Sequence, residues 1–321
     1  MSFWSGKKVF VTGAFGFLGS WLSMDLLSKG ADVTALMLDR VPNSNLFLTG
    51  AASKVRIVNA DLVNYEDMLR VFNEFEVEYC FHLAAQPLVT VANRNPLSTF
   101  NSNIKGTWNV LEAARNSKLM KGMVVASSDK VYGDAKKLPY TEDMPLLASH
   151  PYDVSKACTD ILANSYFHSY GLPLAIARSG NFYGGGDTNF DRLVPGTIMS
   201  ILRNEAPVVR SDGRFVRDYF YVKDAVGAFL NLAEKLNIAK GQAFNFGTEK
   251  HYTVLDVVSQ LIKISGKKLS PKILNQASNE IRAQYLDCSK AKKMLGWGSS
   301  TALDEGLQET FKWYADFFGR K

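Results

Sequence analysis

The sequence predicts an α/β protein, a doubly wound parallel sheet with a smaller C-terminal lobe. Three observations predict it. Apolar runs and helical stretches alternate as far as Ser179. The runs are apolar throughout, where half-exposed strands would alternate, so both faces of the sheet are covered. The first run ends in a glycine-rich turn that opens a helix.

The elements follow in order. KVFVTG (Lys8–Gly13) is a buried strand ending in glycine. In Phe17–Lys29, Leu18, Trp21, Leu22 and Leu26 fall at helical spacing, and Gly30 closes the helix. Asp32–Leu38 and Lys54–Asp61 are strands, followed by a helix over Tyr65–Phe75 and a fourth strand at Val77–Ala84. Asn103–Asn116 is helical, with Trp108, Leu111 and Ala114 on one side, and Gly122–Ser128 is the fifth strand. A long helix covers Tyr152–Tyr170, and Pro173–Ser179 is the sixth strand. The rhythm then breaks into glycine-rich turns and shorter elements. Residues 1–179 form the main domain and 180–321 mainly the lobe, with segments near 215–247 returning to the sheet. AFNFG (Ala243–Gly247) reads as one such core strand.

Composition narrows the function. A chain of 321 residues with 46% hydrophobic content suits one large α/β unit or two joined domains. The net charge of +6 is mild and its basic residues are scattered, which argues against a nucleic-acid partner and suits a small phosphorylated substrate. Cys80, Cys158 and Cys288 lie far apart without a CxxC pair, so no metal site or disulfide frame is expected. No apolar run reaches the roughly 18 residues of a membrane span. The expectation is a cytoplasmic chain with no membrane partner.

TGAFGFLG (Thr12–Gly19) joins the first strand to the first helix. Small residues at Gly13, Gly16 and Gly19 allow a tight turn, close backbone approach to a pyrophosphate and tight helix–strand packing. The helix N-terminus supplies N–H groups and positive dipole for the anion. Asp39 ends the second strand, where a carboxylate accepts ribose hydroxyls and repels a 2′-phosphate. That favours NAD over NADP, although the guanidinium of Arg40 would tolerate the phosphate. Asp61 either caps the next turn or reaches the adenine.

SSDKVYG (Ser127–Gly133) places two hydroxyls, an acid and a base at the end of the fifth strand. It is either a solvated turn or the edge of an active site. PYDVSK (Pro151–Lys156) opens the long helix, with Tyr152 and Lys156 one turn apart on one face.

Together with the glycine loop, these motifs resemble the extended short-chain dehydrogenase/reductases, in the branch of nucleotide-sugar epimerases and dehydratases. TGAFGFLGSW, FHLAAQP, NSNIKGT, SSDKVYG, PYDVSK, RSGNFYG and RDYFYVKD occur in that family's order. The resemblance implies a Rossmann-type NAD-binding domain, a C-terminal substrate-binding lobe and a nucleotide-diphosphate hexose as substrate. It extends the cofactor cradle to Phe15, Phe17, Leu18, Leu62, Leu83, Ala84, Ala85 and Asn103. It gives Lys156 the nicotinamide ribose and a lowering effect on the pKa of Tyr152. Tyr152 becomes the base toward a sugar hydroxyl that Ser128 orients. His82 is read as a neutral structural histidine.

The turn resembles that of the 4,6-dehydratases with SDK, of the CDP-glucose type. There Asp129 acts as acid toward the C6 hydroxyl and Lys130 as base toward the C5 proton. Arg210–Val226 follows the general nucleotide-sugar pattern, which leaves the base and hexose open. Gln86, Asn181, Arg192, Arg217 and Arg282 are the implied substrate contacts, with Arg282 equally readable as a surface arginine. The family's dimer is a contact of the two long helices, so a homodimer or dimer of dimers is implied. A 4-epimerase, with Asp129 and Lys130 as binding features only, is the alternative.

Overall fold

In the computed structural model, which describes residues 2–276 and 281–319, the apolar runs are strands of one seven-stranded parallel sheet. The strands are β1 (Lys8–Thr12), β2 (Asp32–Met37), β3 (Arg56–Asn59), β4 (Tyr79–His82), β5 (Gly122–Ala126) and β6 (Leu174–Ser179), and Ala243–Phe246 beyond β6. The order is Ala243–Phe246, β6, β5, β4, β1, β2, β3. The chain runs outward from β1 to β3, then returns to β4 on the other side of β1. That reversal opens a crevice at the carboxyl ends of β1 and β4, where ligands bind in such sheets.

Alternate residues of each strand enter opposite cores. Val9 and Val11 pack into one apolar cluster and Phe10 into the other. Val124 likewise opposes Met123 and Val125, and Ala175 and Ala177 oppose Leu174 and Ile176. Period-two geometry thus explains why these strands carry no polar face.

Helices Phe17–Ser28 and Pro151–Tyr170 carry the glycine loop and the Tyr-Lys pair. The second has Pro151 in its first turn and ends at Gly171 in the left-handed region, φ 69°. One helix differs from its expected form. Gly106–Arg115 is α-helical, but Asn101–Lys105 before it is a π-helix. The Asn103 carbonyl accepts hydrogen bonds from the hydroxyls of Thr107 (2.6 Å) and Thr159 (3.0 Å), which widens the turn locally.

Past β6, Asn181–Tyr183 pairs in parallel with Tyr219–Tyr221. Val216–Arg217 lies between Tyr252–Thr253 and Ala283–Gln284. From these short pairings, Asn181, Tyr183, Arg217 and Tyr219 line the crevice. Trp21 Nε1 donates to the Gly185 carbonyl at 2.7 Å, fastening the first helix to the GGGD loop.

Candidate active site

The crevice holds a cavity of about 870 Å³ that runs from the glycine loop to Arg217. At one end lie Gly13, Phe15, Gly16, Phe17, Leu18 and Gly19. Gly13 has φ +71°, and a Cβ there would stand 2.8 Å from the Ala84 nitrogen. A Cβ on Gly19 would stand 2.1 Å from the Gly13 carbonyl oxygen. Both glycines are therefore required by backbone contact. Helix Phe17–Ser28 begins here with no side-chain cap, so its first N–H groups are left for an anion. This cradle fits a dinucleotide pyrophosphate.

Asp39 lines the cavity beside Met37, Leu38 and Leu62. Arg40 is off the wall, its guanidinium 5.2 Å from the centre of the Phe47 ring. Asp61 caps its own turn, Oδ1 accepting from the Val63 nitrogen at 3.0 Å, and does not reach the wall. Leu83, Ala84, Ala85 and Gln86 continue the lining past β4. Thr12 Oγ1 holds this stretch, accepting from the Leu83 and Ala84 nitrogens, each at 3.1 Å. His82 is buried between the hydroxyls of Thr12 (2.9 Å) and Thr107 (3.0 Å). Burial and the charge of Lys156 push its pKa down to about 3, so it is neutral.

Asn103 lies behind the wall. Its Oδ1 accepts from the Gln86 nitrogen at 2.7 Å, and its Nδ2 donates to Ser155 Oγ at 2.9 Å. One amide thus fixes the Gln86 loop against the helix of Tyr152 and Lys156.

The end of β5 forms the middle of the cavity. Ser128 caps the short turn Asp129–Tyr132, accepting from the Lys130 nitrogen at 3.2 Å and donating to Asp129 Oδ1 at 3.1 Å. Tyr152 is within hydrogen-bond reach of Ser128. Ser128, Lys130, Tyr152 and Lys156 all line the cavity, with Asp129 just behind them and only 2% exposed. Asp129 Oδ2 has no partner among the described residues.

The electrostatics differ from expectation at one point. Lys156 was expected to depress the pKa of Tyr152. Burial, reinforced by the Asp129 carboxylate, raises it to about 12. Lys156 Nζ donates to the Ala126 carbonyl at 2.8 Å, and burial lowers its own pKa to about 8.

At the far end, Asn181, Arg192 and Arg217 line the cavity. Arg192 is paired with Asp187 at 2.9 Å, and Arg217 Nη1 donates to the carbonyls of Val216 (2.9 Å) and Arg282 (3.3 Å). Arg282 is exposed and contributes its carbonyl, not its guanidinium. Ser127, one of the two hydroxyls of SSDKVYG, and Ser179, which sequence reasoning missed, are buried hydroxyls on this wall without partners among the described residues. Their signal was position, each lying at the carboxyl end of a core strand. Sequence reasoning also missed Gln284, whose Oε1 accepts from Lys130 Nζ. No local pattern marks a contact 154 residues apart.

With this geometry in place, comparison with known proteins is decisive. The family described as GDP-mannose 4,6 dehydratase matches residues 10–310. The chain belongs to this family of extended short-chain dehydrogenase/reductases. Among its relatives is CDP-glucose 4,6-dehydratase of Salmonella typhimurium, 34% identical over 98% of this chain and 92% of that protein. UDP-glucose 4-epimerase of Thermotoga maritima, solved with UDP-glucose, superposes with a TM-score of 0.89 at 29% identity, covering 97% of this chain and 99% of that one. dTDP-glucose 4,6-dehydratase of Bacillus anthracis, solved with NAD, gives 0.85 at 26% identity over 97% of both chains. Dehydratases and epimerases thus share one scaffold with the chain.

Proposed function

We propose that the chain is an NAD-dependent nucleotide-hexose 4,6-dehydratase acting on CDP-glucose. The observation that carries this is Asp129–Lys130, set directly after Ser128 at the end of β5 and opposite Tyr152 and Lys156. The CDP-glucose relative supports the choice of substrate. Residues 1–179 with the returning segments near 215–247 serve the cofactor, and 180–321 mainly the substrate.

Gly13 to Gly19 would hold the cofactor pyrophosphate, Asp39 the adenosine ribose and Lys156 the nicotinamide ribose. NAD, when bound, supplies a hydride acceptor for C4, a hydride donor for C6 and a positive charge near Tyr152. Tyr152 takes the C4 hydroxyl proton while Ser128 orients that hydroxyl. The C4 ketone acidifies C5. Lys130, as neutral amine, takes the C5 proton, and Asp129, as carboxylic acid, protonates the C6 hydroxyl as it leaves as water. When C6 is reduced, the Lys130 ammonium returns a proton to C5, and in deuterated water that proton is exchanged for deuterium. C4 is oxidised and C6 reduced, so the net change is loss of one water. Arg192 and Arg217 exchange their present partners for the diphosphate, Arg217 with a bidentate fork.

Incubating the enzyme with CDP-glucose in deuterated water tests the reading. A 4-keto-6-deoxy sugar with deuterium at C5 is expected. If a panel of nucleotide hexoses yields only inversion at C4, the dehydratase reading fails and the 4-epimerase reading stands. The position of Asp129 behind the cavity wall is the observation that favours an epimerase.

The exposed Trp108 and Ile161 on helices Gly106–Arg115 and Pro151–Tyr170 support a homodimer through those helices. Trp108→Glu with Ile161→Glu should halve the mass seen by light scattering. The three free thiols suit a reducing cytoplasm.

A further inference from the structure

We propose that Gln284 is a positioning residue that holds Lys130 in the cavity without adding the negative charge that would keep its proton on. This rests on the reading of Lys130 as the base toward C5. Gln284 is fully buried and is not on the cavity wall, so it acts through Lys130. Its Oε1 accepts from Lys130 Nζ, and its amide also lies against the Tyr140 hydroxyl, which donates to the Gly133 carbonyl at 2.7 Å. A glutamate would fit the same space and make the same bond. It would also stabilise the ammonium form and raise the lysine pKa. A neutral amide fixes the amine while leaving the proton free to come and go.

The groups around Lys130 make this neutrality matter. Asp129 sits beside it on its own turn. Asp153, on helix Pro151–Tyr170, senses both Lys130 and Asp129. Tyr152 on that helix senses Asp129, and Tyr140 senses first Gln284 itself and then Asp129, Asp134 and Arg217. Asp153 already interacts with Lys130, and a carboxylate at position 284 would add a second charge that favours the ammonium form. Gln284 also stands opposite Arg217 in the pairing of Ala283–Gln284 with Val216–Arg217. The strand that carries a diphosphate-facing arginine therefore sits in register with the strand that sets the base.

Two substitutions test this. Gln284→Glu keeps the bond and adds charge. Gln284→Met keeps the volume and removes the acceptor. Three quantities are read in each: reduced nicotinamide formed in single turnover, deuterium entering C5 as a function of pH, and the titration of Lys130 by carbon NMR of labelled lysines in the protein without substrate. Gln284→Glu should move the Lys130 midpoint and the C5-exchange profile up by one pH unit or more, with C4 oxidation unchanged. Gln284→Met should slow C5 exchange on the order of 10²-fold by removing an acceptor that orients the amine, again with C4 oxidation unchanged. Unmoved profiles in Gln284→Glu, or equal losses in both partial reactions, overturn the role of Gln284 while a wild-type enzyme still dehydrates. A wild-type enzyme that makes no 4-keto-6-deoxy sugar overturns the underlying reading and this one with it.

Discussion

Arg178 and Asp160 close two hydrogen bonds on each other, Nε to Oδ2 at 2.8 Å and Nη2 to Oδ1 at 2.9 Å, with both side chains almost wholly buried. The pair ties β6 to helix Pro151–Tyr170 one turn past Lys156. Arg178 Nη1 also donates to the Tyr132 hydroxyl at 2.9 Å, and Tyr132 donates to Asn245 Oδ1 at 2.7 Å. One guanidinium therefore fixes the turn of Asp129 and Lys130, the helix of Tyr152 and the strand Ala243–Phe246. Asp160→Asn leaves that guanidinium buried without its counter-charge. The expected loss is ~3–5 kcal/mol in denaturant unfolding. Tyr132→Phe removes two hydrogen bonds, one of them to a charged group, and should cost about 3 kcal/mol.

Tyr152→Phe removes the hydroxyl that takes the C4 proton and leaves the aromatic ring in the wall. Single-turnover formation of reduced nicotinamide should fall by ~10²–10⁴-fold, the range of general acid–base catalysis. Cofactor affinity, measured by calorimetry, should hold, because the glycine loop and Asp39 are untouched. Loss of affinity in step with the rate would make Tyr152 a binding residue.

Asp129→Asn and Lys130→Met should divide the reaction. Each keeps Ser128, Tyr152 and Lys156, so reduced nicotinamide should still form. Release of 4-keto-6-deoxy product should drop by ~10²-fold or more in each. Reduced cofactor should then accumulate, visible by its absorbance, where the wild type shows little. An undiminished rate in both variants would assign the turn to binding and favour the epimerase reading.

The fold was legible because its signals are local. The strands inside the sheet, β1, β2, β4, β5 and β6, are largely apolar on both faces, and a strand four to six residues long shows that in its own sequence, while the edge strand β3 buries only Val58 fully. Gly13, Gly16 and Gly19 were legible for the same reason, since the turn and the helix start are adjacent in the chain. Tyr152 and Lys156 share one helical turn. The rest of the site depends on pairing across distance. Gln284 meets Lys130 only because Ala283–Gln284 pairs with Val216–Arg217, and short lobe strands of two residues carry no periodicity. Asn103 was marked by its motif as a structural helper beside the cofactor, but its place behind the wall was not legible. Its distance from the cavity depends on a π-helix that the helical spacing does not reveal. The pKa of Tyr152 likewise follows from burial and the placement of Asp129, which are tertiary quantities.

Cofactor choice should turn on Asp39. Its carboxylate faces the cavity while the guanidinium of Arg40 lies over Phe47, and Phe47 stacks on Phe15 with ring centres 5.1 Å apart. Arg40 is thus drawn away from the place of a 2′-phosphate, and Asp39 repels one. Asp39→Ser removes the repulsion and two acceptors for the ribose. Affinity for NAD should fall about tenfold, and the preference over NADP should shrink by more than that. Calorimetric titration with both cofactors checks it. An unchanged ratio would mean that Asp39 does not meet the ribose.

His82 should make the protein sensitive to acid, and the sign follows from its burial. Its folded pKa is lowered from 6.5 to about 3, so between those values the unfolded chain takes up a proton that the native state refuses. Stability therefore falls as pH drops from about 6.5 toward 3, by up to ~1.4 kcal/mol per pH unit from this group. Above 6.5 the imidazole is neutral in both states and the penalty is absent. His82→Gln puts a non-titrating amide between Thr12 and Thr107. Carboxylates elsewhere contribute equally to both proteins, so the comparison isolates the imidazole. Urea unfolding at intervals from pH 7.5 to pH 4.5 should show the variant less stable at the upper end. It should lose less stability on acidification, so that the two curves converge. Parallel curves would show that His82 accepts a proton in the native state and that the Thr12–His82–Thr107 chain opens to admit it.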